Sequence, residues 1–184
     1  MKILAISGSL RAASYNRMAL KAATELAPAG LTIETAEIKD LAMFDGDDFA
    51  KGFPANVVAL REKIRAADGL LIAGPEYNYS VSGALKNAID WLSRGNDQPF
   101  AYKPIAIMSA TMGPVGGARM QYDLRKIFLF LQGQVLQKPE VFIGLAQNKF
   151  DANGKLTDEA TRKVMGDFML AFQDWIPRVK RMAA

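Results

Sequence analysis

Short apolar runs alternate with segments of helical periodicity along the chain. Residues 69–73 are apolar throughout and residues 104–110 nearly so, which is typical of parallel strands that are covered on both faces. Residues 2–7 form a similar run at the N-terminus. Residues 31–38 instead alternate between apolar and polar positions, which predicts a strand with a more solvated face.

Helices are predicted between these strands, where apolar residues recur every three or four positions. The predicted helices begin near residues 14, 54, 83, 118 and 157. In the second of them, the apolar stripe consists of Val57, Leu60, Ile64 and Ala67. Residues 40–52 and 76–82 are predicted to be loops. A fifth strand is predicted in two pieces, at Val135 and at Val141–Ile143, on either side of Lys138-Pro139.

The alternation of strands and helices predicts an α/β protein with a mostly parallel sheet. Five strands in one unit favour the flavodoxin-like order 2-1-3-4-5, a three-layer sandwich with helices on both faces, over the six-stranded dinucleotide fold. The length predicts a single domain, residues 1–184. In such a fold, ligands bind outside the carboxyl ends of the first, third and fourth strands, near the switch point.

The composition excludes several kinds of chemistry, because the chain contains neither histidine nor cysteine. A Ser-His-Asp or Cys-His nucleophile, an ordinary zinc site, a thiolate-bound iron–sulfur cluster and a disulfide are all excluded. An acidic cluster at residues 45–48 lacks the spacing of a calcium loop, so no metal site is predicted. The chemistry must therefore come from carboxylates, hydroxyls, lysines and arginines, or from a bound cofactor.

Charge and hydropathy bear on partners and location. The net charge is +4, but the basic residues are scattered, so no nucleic-acid partner is predicted. Neither a membrane-spanning run nor a signal peptide is recognised, and a cytoplasmic protein is expected. A mild positive field would favour anionic ligands.

The loop after the first strand, residues 8–16, is a candidate anion site. Free backbone N–H groups at the start of the following helix favour a phosphate. Ser9, Ser14 and Asn16 can donate hydrogen bonds, and Arg11 offers a planar fork that matches phosphate oxygens. The alternative is a plain strand-to-helix turn in which Ser14 caps the helix and Arg11 is solvated.

The loops after the third and fourth strands are candidates for binding a flat ring. Tyr77 and Tyr79 stand beside Asn78 at the expected sheet edge, where exposed aromatic rings favour a flat heteroaromatic ligand. The alternative is a proline-initiated turn with Asn78 in a left-handed conformation and the tyrosines half-buried. The glycine-rich loop 111–117 permits a close approach of its backbone to a ring, or it is merely a flexible connection.

Arg94 and Arg119 are expected to be solvated or interface charges rather than catalytic groups. Arg119 and Tyr122 are three residues apart on one predicted helix, a spacing at which they could act together at a subunit contact.

Two long motifs resemble the NADPH-dependent FMN reductase family, and within it the bacterial chromate reductase and quinone reductase subgroup. The first, Gly8-Ser-Leu-Arg-x-x-Ser-x-Asn16, follows the first strand. The second runs from Pro75-Glu-Tyr-Asn-Tyr through to Trp91 and continues in residues 92–94 and 112–119. The resemblance implies a flavodoxin-like fold, non-covalently bound FMN and a homodimer or homotetramer.

The resemblance also implies roles for individual residues. The FMN phosphate would be held by Ser9, Arg11, Ser14, Tyr15 and Asn16. The isoalloxazine ring would be lined by Pro75, Glu76, Tyr77, Asn78 and Tyr79, with Thr111 and Gly113 closing another edge. Ser82 stands where the family usually has proline; we expect it to cap the next helix and to leave the loop somewhat less rigid.

The function implied by the resemblance is an NAD(P)H-dependent flavoenzyme. NADH or NADPH gives a hydride to FMN, which then passes electrons to small acceptors such as quinones, chromate, other metal oxyanions, ferric complexes, azo compounds or flavins. No side chain is expected to be catalytic, because the reactive atoms belong to the cofactor. The physiological acceptor and the choice between NADH and NADPH stay open.

Two other classes compete with this interpretation. A flavodoxin-type electron carrier would bind FMN without oxidising a nicotinamide, but such carriers are generally acidic, whereas this chain is basic. A receiver module on the same fold would need an acidic residue at the end of the third strand, which instead ends in Ala73-Gly74.

Overall fold

The computed structural model of the protein describes residues 1–182. The strands are, in chain order, β1 (Lys2–Ser7), β2 (Thr32–Ala36), β3 (Gly69–Ala73), β4 (Glu76–Tyr77), β5 (Ser80–Val81), β6 (Pro104–Ala110), β7 (Gln134–Val135) and β8 (Val141–Ile143). The helices are α1 (Tyr15–Glu25), α2 (Gly46–Phe49), α3 (Ala55–Ala66), α4 (Gly83–Leu92), α5 (Ala118–Phe130) and α6 (Glu159–Met182). A single 3₁₀ turn is formed by Ala146–Asn148. These ranges and counts refer to the described residues alone.

The central sheet is parallel and has the order β2-β1-β3-β6-β7. The predicted flavodoxin-like order is therefore confirmed. The fifth strand is indeed split: β7 pairs with the start of β6, and β8 pairs with its end at Met108 to Ala110. Within residues 1–182, the two pieces bring the sheet to six strands.

Helices cover both faces of this sheet, which explains why β3 and β6 are apolar at nearly every position. In β3, Leu70 and Ile72 pack with α3, α4 and α5. The alternate residues Leu71 and Ala73 pack on the opposite face with α1 and α6. Successive side chains of a strand point to opposite faces, so a strand buried on both sides carries no polar alternation.

Two segments that were predicted to be loops contain secondary structure. Residues 46–49 form α2, whose first turn is capped by the Asp45 carboxylate, with Oδ1 accepting from Asp47 N at 2.8 Å. Residues 76–81 form an antiparallel hairpin in which Tyr77 pairs with Ser80. Its turn residues Asn78 and Tyr79 have φ values of 49° and 69°, both in the left-handed region that two-residue hairpin turns require. An Asn-Gly pair would have predicted this turn from the sequence. Tyr79 in the second turn position does not, because tyrosine seldom adopts a left-handed conformation.

No helix in residues 1–182 has both the length and the apolar character needed to cross a bilayer.

Candidate functional site

The carboxyl ends of β1, β3 and β6 bring the three candidate loops together around a cleft of about 150 Å³. Predicted residues that line this cleft are Ser9, Arg11, Ser14, Tyr15, Asn16, Pro75, Glu76, Tyr77 and Thr111. Three further predicted residues, Asn78, Tyr79 and Gly113, are not part of its lining. Ala110 and Met112 also line the cleft; Met112 belongs to the loop that was predicted to approach a ring, but neither residue was named as a binding residue.

Backbone pairing continues past the strand ends and fixes the base of the cleft. Gly8 N donates to Ala73 O at 2.8 Å, and Gly74 N donates to Met108 O at 3.2 Å. A Cβ atom at residue 8 would approach Gly74 Cα to 3.3 Å and the Leu85 side chain to 3.1 Å. Glycine at this position therefore allows the first two loops to meet.

The first loop leads directly into the N-terminus of α1. Ser14 Oγ accepts from Asn16 N at 3.2 Å, so the capping role considered as an alternative for Ser14 is present. Ser9 is buried and its Oγ accepts from Arg11 N at 3.4 Å. Among residues 1–182, nothing forms a hydrogen bond or ion pair with the Arg11 guanidinium, which lies exposed at the cleft. An unpaired cation beside a helix N-terminus is an arrangement that attracts anions.

Asn16 ties the first loop to the third. Its Nδ2 donates to Ala110 O at 2.9 Å, and its Oδ1 accepts from Ala110 N at 2.9 Å. The side chain is buried, and any contact with a ligand would have to use the second amide hydrogen. The main role of the Asn16 side chain is thus to hold the first and third loops together.

The second loop presents its tyrosine rings to solvent. Tyr77 is 51% exposed and Tyr79 is 69% exposed, so the half-buried arrangement considered for them describes Tyr77 but not Tyr79, whereas the left-handed conformation of Asn78 is confirmed. The Arg119 guanidinium lies 3.8 Å from the centroid of the Tyr79 ring, within the range of a cation–π contact.

The Glu76 carboxylate is turned towards α5. Its Oε1 accepts from the Arg119 guanidinium at 2.6 Å, and its Oε2 accepts from Arg119 N at 3.1 Å and Met120 N at 3.4 Å. The hydrogen bond that the Arg119 guanidinium donates to Glu76 raises the pKa of Arg119 above its ordinary value. Arg119, expected to be a solvated or interface charge, is therefore paired within its own chain.

The third loop is not a free connection. Thr111 N donates to Ile143 O at 2.9 Å and Leu145 N donates to Gly113 O at 3.1 Å. Ser109 Oγ, at the end of β6, donates to Gly116 O at 2.6 Å. These bonds fasten the loop to β8, to Leu145 just after it and to β6, and they contradict the flexible connection considered as an alternative.

Ser82 has two hydrogen-bonding roles at the start of α4. Its Oγ accepts from Leu85 N at 3.3 Å, which confirms the predicted cap, and donates to Gly8 O at 2.6 Å. Proline could not make the second bond, because it has no donor group on its side chain. The expected loss of rigidity is therefore opposed by a new tie between the first two loops.

The helical half of the second motif is structural. Asn87 Oδ1 accepts from Phe44 N at 2.7 Å, and Trp91 Nε1 donates to Ala42 O at 2.8 Å. Arg94 lies over the Phe44 ring at 5.1 Å. These side chains hold the segment before α2 on α4, a role that the sequence did not reveal.

Comparison with known proteins gives a consistent picture. A family model described as NADPH-dependent FMN reductase matches residues 1–148. The chain is 51% identical over 180 residues to an NAD(P)H-dependent FMN reductase of Pseudomonas aeruginosa, covering 98% of this chain and 97% of the relative. It is 46% identical over 183 residues to a quinone reductase of Escherichia coli, again with 98% and 97% covered.

A solved structure extends the similarity to the fold. The flavoenzyme NAD(P)H:(acceptor) oxidoreductase of Paracoccus denitrificans superposes with a TM-score of 0.88 at 34% identity, covering 96% of this chain and 97% of that one.

Proposed function

This chain belongs to the NADPH-dependent FMN reductase family, and we propose that its three-loop cleft is the place where FMN binds. The protein is an oxidoreductase that uses FMN as cofactor and NAD(P)H as co-substrate. The observation that carries the proposed location is the unpaired Arg11 guanidinium beside the N-terminus of α1.

The residues of the cleft fit a mononucleotide. The hydroxyls of Ser9 and Ser14, the guanidinium of Arg11 and the first amides of α1 form a donor set for a phosphate. The enclosed volume of about 150 Å³ is below the range of a complete ligand pocket. The phosphate end would thus occupy the cleft, and the ring would extend along its open edge at Tyr77 and Met112.

Bound FMN supplies the hydride and electron transfer chemistry. The chain's contribution is to bind and orient it. Arg11 and the free N–H groups at the start of α1 would hold the phosphate end, and the loops that carry Tyr77 and Met112 would position the ring. The Glu76 carboxylate is held by α5 and Arg119, so it is not free to repel that charge. No side chain in the cleft is assigned a proton-transfer role.

The acceptor side of the reaction fits small molecules. Similar proteins are named quinone reductases, which supports quinones as acceptors here. The open edge would also admit chromate and other metal oxyanions, ferric complexes, azo compounds and flavins, and the positive net charge would favour the anionic ones.

An anaerobic reduction experiment separates this enzyme from a flavodoxin-type carrier. The FMN-loaded protein is mixed with NADPH, and in parallel with NADH, while its visible absorbance is followed; FMN without protein is the control. We expect at least one nicotinamide to bleach the bound flavin and a quinone to restore its colour. Bound FMN that neither nicotinamide reduces would instead indicate a carrier.

We also propose that copies of this chain associate, as a homodimer or homotetramer in the cytoplasm, each copy being one domain of residues 1–184. A groove of about 550 Å³ between α4 and α5 supports this proposal. Phe130 at its edge is 85% exposed and the adjacent Leu129 is 80% exposed. Large exposed apolar side chains of this kind mark interaction surfaces.

The charges around this groove favour a second copy as its occupant. Lys86 pairs with Asp90 along α4, and Lys126 pairs with Asp123 along α5. A surface that carries both signs on each helix can complement itself across a two-fold axis.

We expect Phe130→Asp to shift the protein towards smaller species at micromolar concentration, because a carboxylate would be buried without a partner. Sedimentation velocity measures the change. Leu170→Asp on α6, where the leucine is likewise exposed, is the matched control and should leave the distribution unchanged. A wild-type protein that is monomeric at these concentrations would contradict the proposal.

A further inference from the structure

Helix α5 has no cap of its own. Its N-cap residue, Gly117, has no side chain and adopts φ 88° and ψ 22°. A Cβ atom at this position would lie 2.7 Å from Ser109 Cβ and 2.8 Å from Ser109 Oγ. Because a larger residue would collide with β6, the usual serine, threonine or aspartate cap is not available to this helix.

The missing cap is supplied by Glu76, which lies 43 residues before Arg119 in the chain. Its Oε2 accepts from the amides of Arg119 and Met120 at 3.1 and 3.4 Å. These are the second and third residues of the helix, whose amides an N-cap side chain ordinarily satisfies. The Glu76 side chain is 11% exposed, so few water molecules can compete for these bonds.

Two further contacts hold the same hairpin on α5. Arg119 pairs with Glu76 Oε1 at 2.6 Å and lies over the Tyr79 ring. Residues of β5 also pack directly against α5. The hairpin is thus attached to the helix at β4, at its turn and at β5.

We propose that Glu76 is a positioning residue, which acts on the cofactor through α5 instead of contacting it with its carboxylate. By capping the helix, the side chain fixes the backbone of residues 75–77 at the edge of the cleft. The inference rests on the proposed FMN site, since it concerns how that site is held in shape. The negative charge of the Glu76 carboxylate is offset by the N-terminus of α5 and by Arg119. A carboxylate can therefore lie beside the cleft at little electrostatic cost.

Three variants test this role. Glu76→Ala removes the cap, whereas Glu76→Gln keeps an oxygen that can accept from the helix amides. Asp158→Ala is the matched control, because Asp158 Oδ1 accepts from Thr161 N at 2.9 Å at the start of α6, and Asp158 does not line the cleft. The measurements are the Kd for FMN, the flavin absorbance maximum, and kcat and KM for NAD(P)H at saturating FMN.

We expect Glu76→Ala to raise the Kd for FMN about tenfold, the scale of one lost cap, to shift the absorbance maximum and to raise KM. Glu76→Gln should stay within about threefold of the wild type, since one neutral acceptor remains. Asp158→Ala should lower the Tm without changing the Kd. Equal losses of affinity in the alanine and glutamine variants would overturn the inference in favour of a role for the charge itself. If Glu76→Ala lowers the Tm but leaves the Kd for FMN, the absorbance maximum and KM unchanged, Glu76 has only a structural role.

Hydrogen exchange of the FMN-free protein keeps the inference separate from the proposed function. Glu76→Ala should exchange the amides of residues 76–81 and 118–121 at least about tenfold faster than the wild type. Unchanged exchange there would contradict the capping of α5 by Glu76 even if FMN binds. Failure of the wild-type protein to bind FMN would contradict the proposed function, whereas the exchange result would still test whether Glu76 caps α5.

Discussion

We expect Arg61→Ala to lower the free energy of unfolding by about 2 to 4 kcal/mol, the combined cost of a cavity at a buried side chain and of backbone carbonyls left without donors. Arg61 is 3% exposed. Its NH1 donates to Leu92 O at 2.6 Å and to Arg94 O at 2.8 Å, and its NH2 donates to Asp97 Oδ1 at 2.6 Å. Burial lowers the pKa of the Arg61 guanidinium below its ordinary value, but such a group stays charged at neutral pH.

The alanine variant leaves the carbonyl groups at the end of α4 without donors. It also opens a cavity beside Phe53, whose ring centroid lies 4.4 Å from the guanidinium carbon. Both effects add to the cost of the substitution. The segment after α4 is attached to α3 through this side chain.

Urea denaturation gives the free energy of unfolding directly. Arg61→Lys should recover part of the loss, because it keeps the charge but not the fork of donors. Arg65→Ala is the matched control: Arg65 pairs with the same Asp97 but is partly exposed, so its loss should be below about 1 kcal/mol. A difference of less than about 1 kcal/mol between Arg61→Ala and the wild type would contradict this account.

The second large effect concerns the cofactor. We expect Arg11→Ala to weaken FMN binding by about 1.5 to 3 kcal/mol, which is about ten- to 150-fold in Kd. The reason is that Arg11, unpaired among residues 1–182, is the cation that lines the cleft beside the first turn of α1. Its fork can give two hydrogen bonds to one phosphate.

Titration of the FMN-free protein with FMN measures the change. Arg11→Lys should lie between the wild type and the alanine variant. Arg17→Ala is the matched control, because Arg17 lies in the first turn of α1 but pairs with Glu37 away from the cleft; its Kd should equal that of the wild type. An unchanged Kd in Arg11→Ala would remove this residue from the phosphate site.

The sheet could be predicted from the sequence because strands that are buried on both faces appear as continuous apolar runs. Residues 69–73 and 104–110 are apolar since α-helices cover them on each side. The hairpin at 76–81 was missed because two-residue strands are too short to show periodicity. Its turn is determined by backbone angles at Asn78 and Tyr79, which the residue types only weakly indicate.

The positions of the candidate loops were predictable, but the partners of their side chains were not. Glu76 and Arg119 are brought together by the packing of the hairpin on α5. They are 43 residues apart in the chain, and no local sequence pattern predicts a contact over that separation. Arg61 did leave a signal: it follows Leu60 and lies four residues after Val57, at the margin of the predicted apolar stripe. An arginine in that position of a helix is worth testing for burial.

The most direct test of the central claim is a crystal structure of the protein grown with FMN. The account predicts electron density for the phosphate at the N-terminus of α1, within hydrogen-bonding distance of Arg11 and Ser14, and density for the ring against residues 75–77 and Thr111. FMN density elsewhere, for example in the groove between α4 and α5, would contradict it.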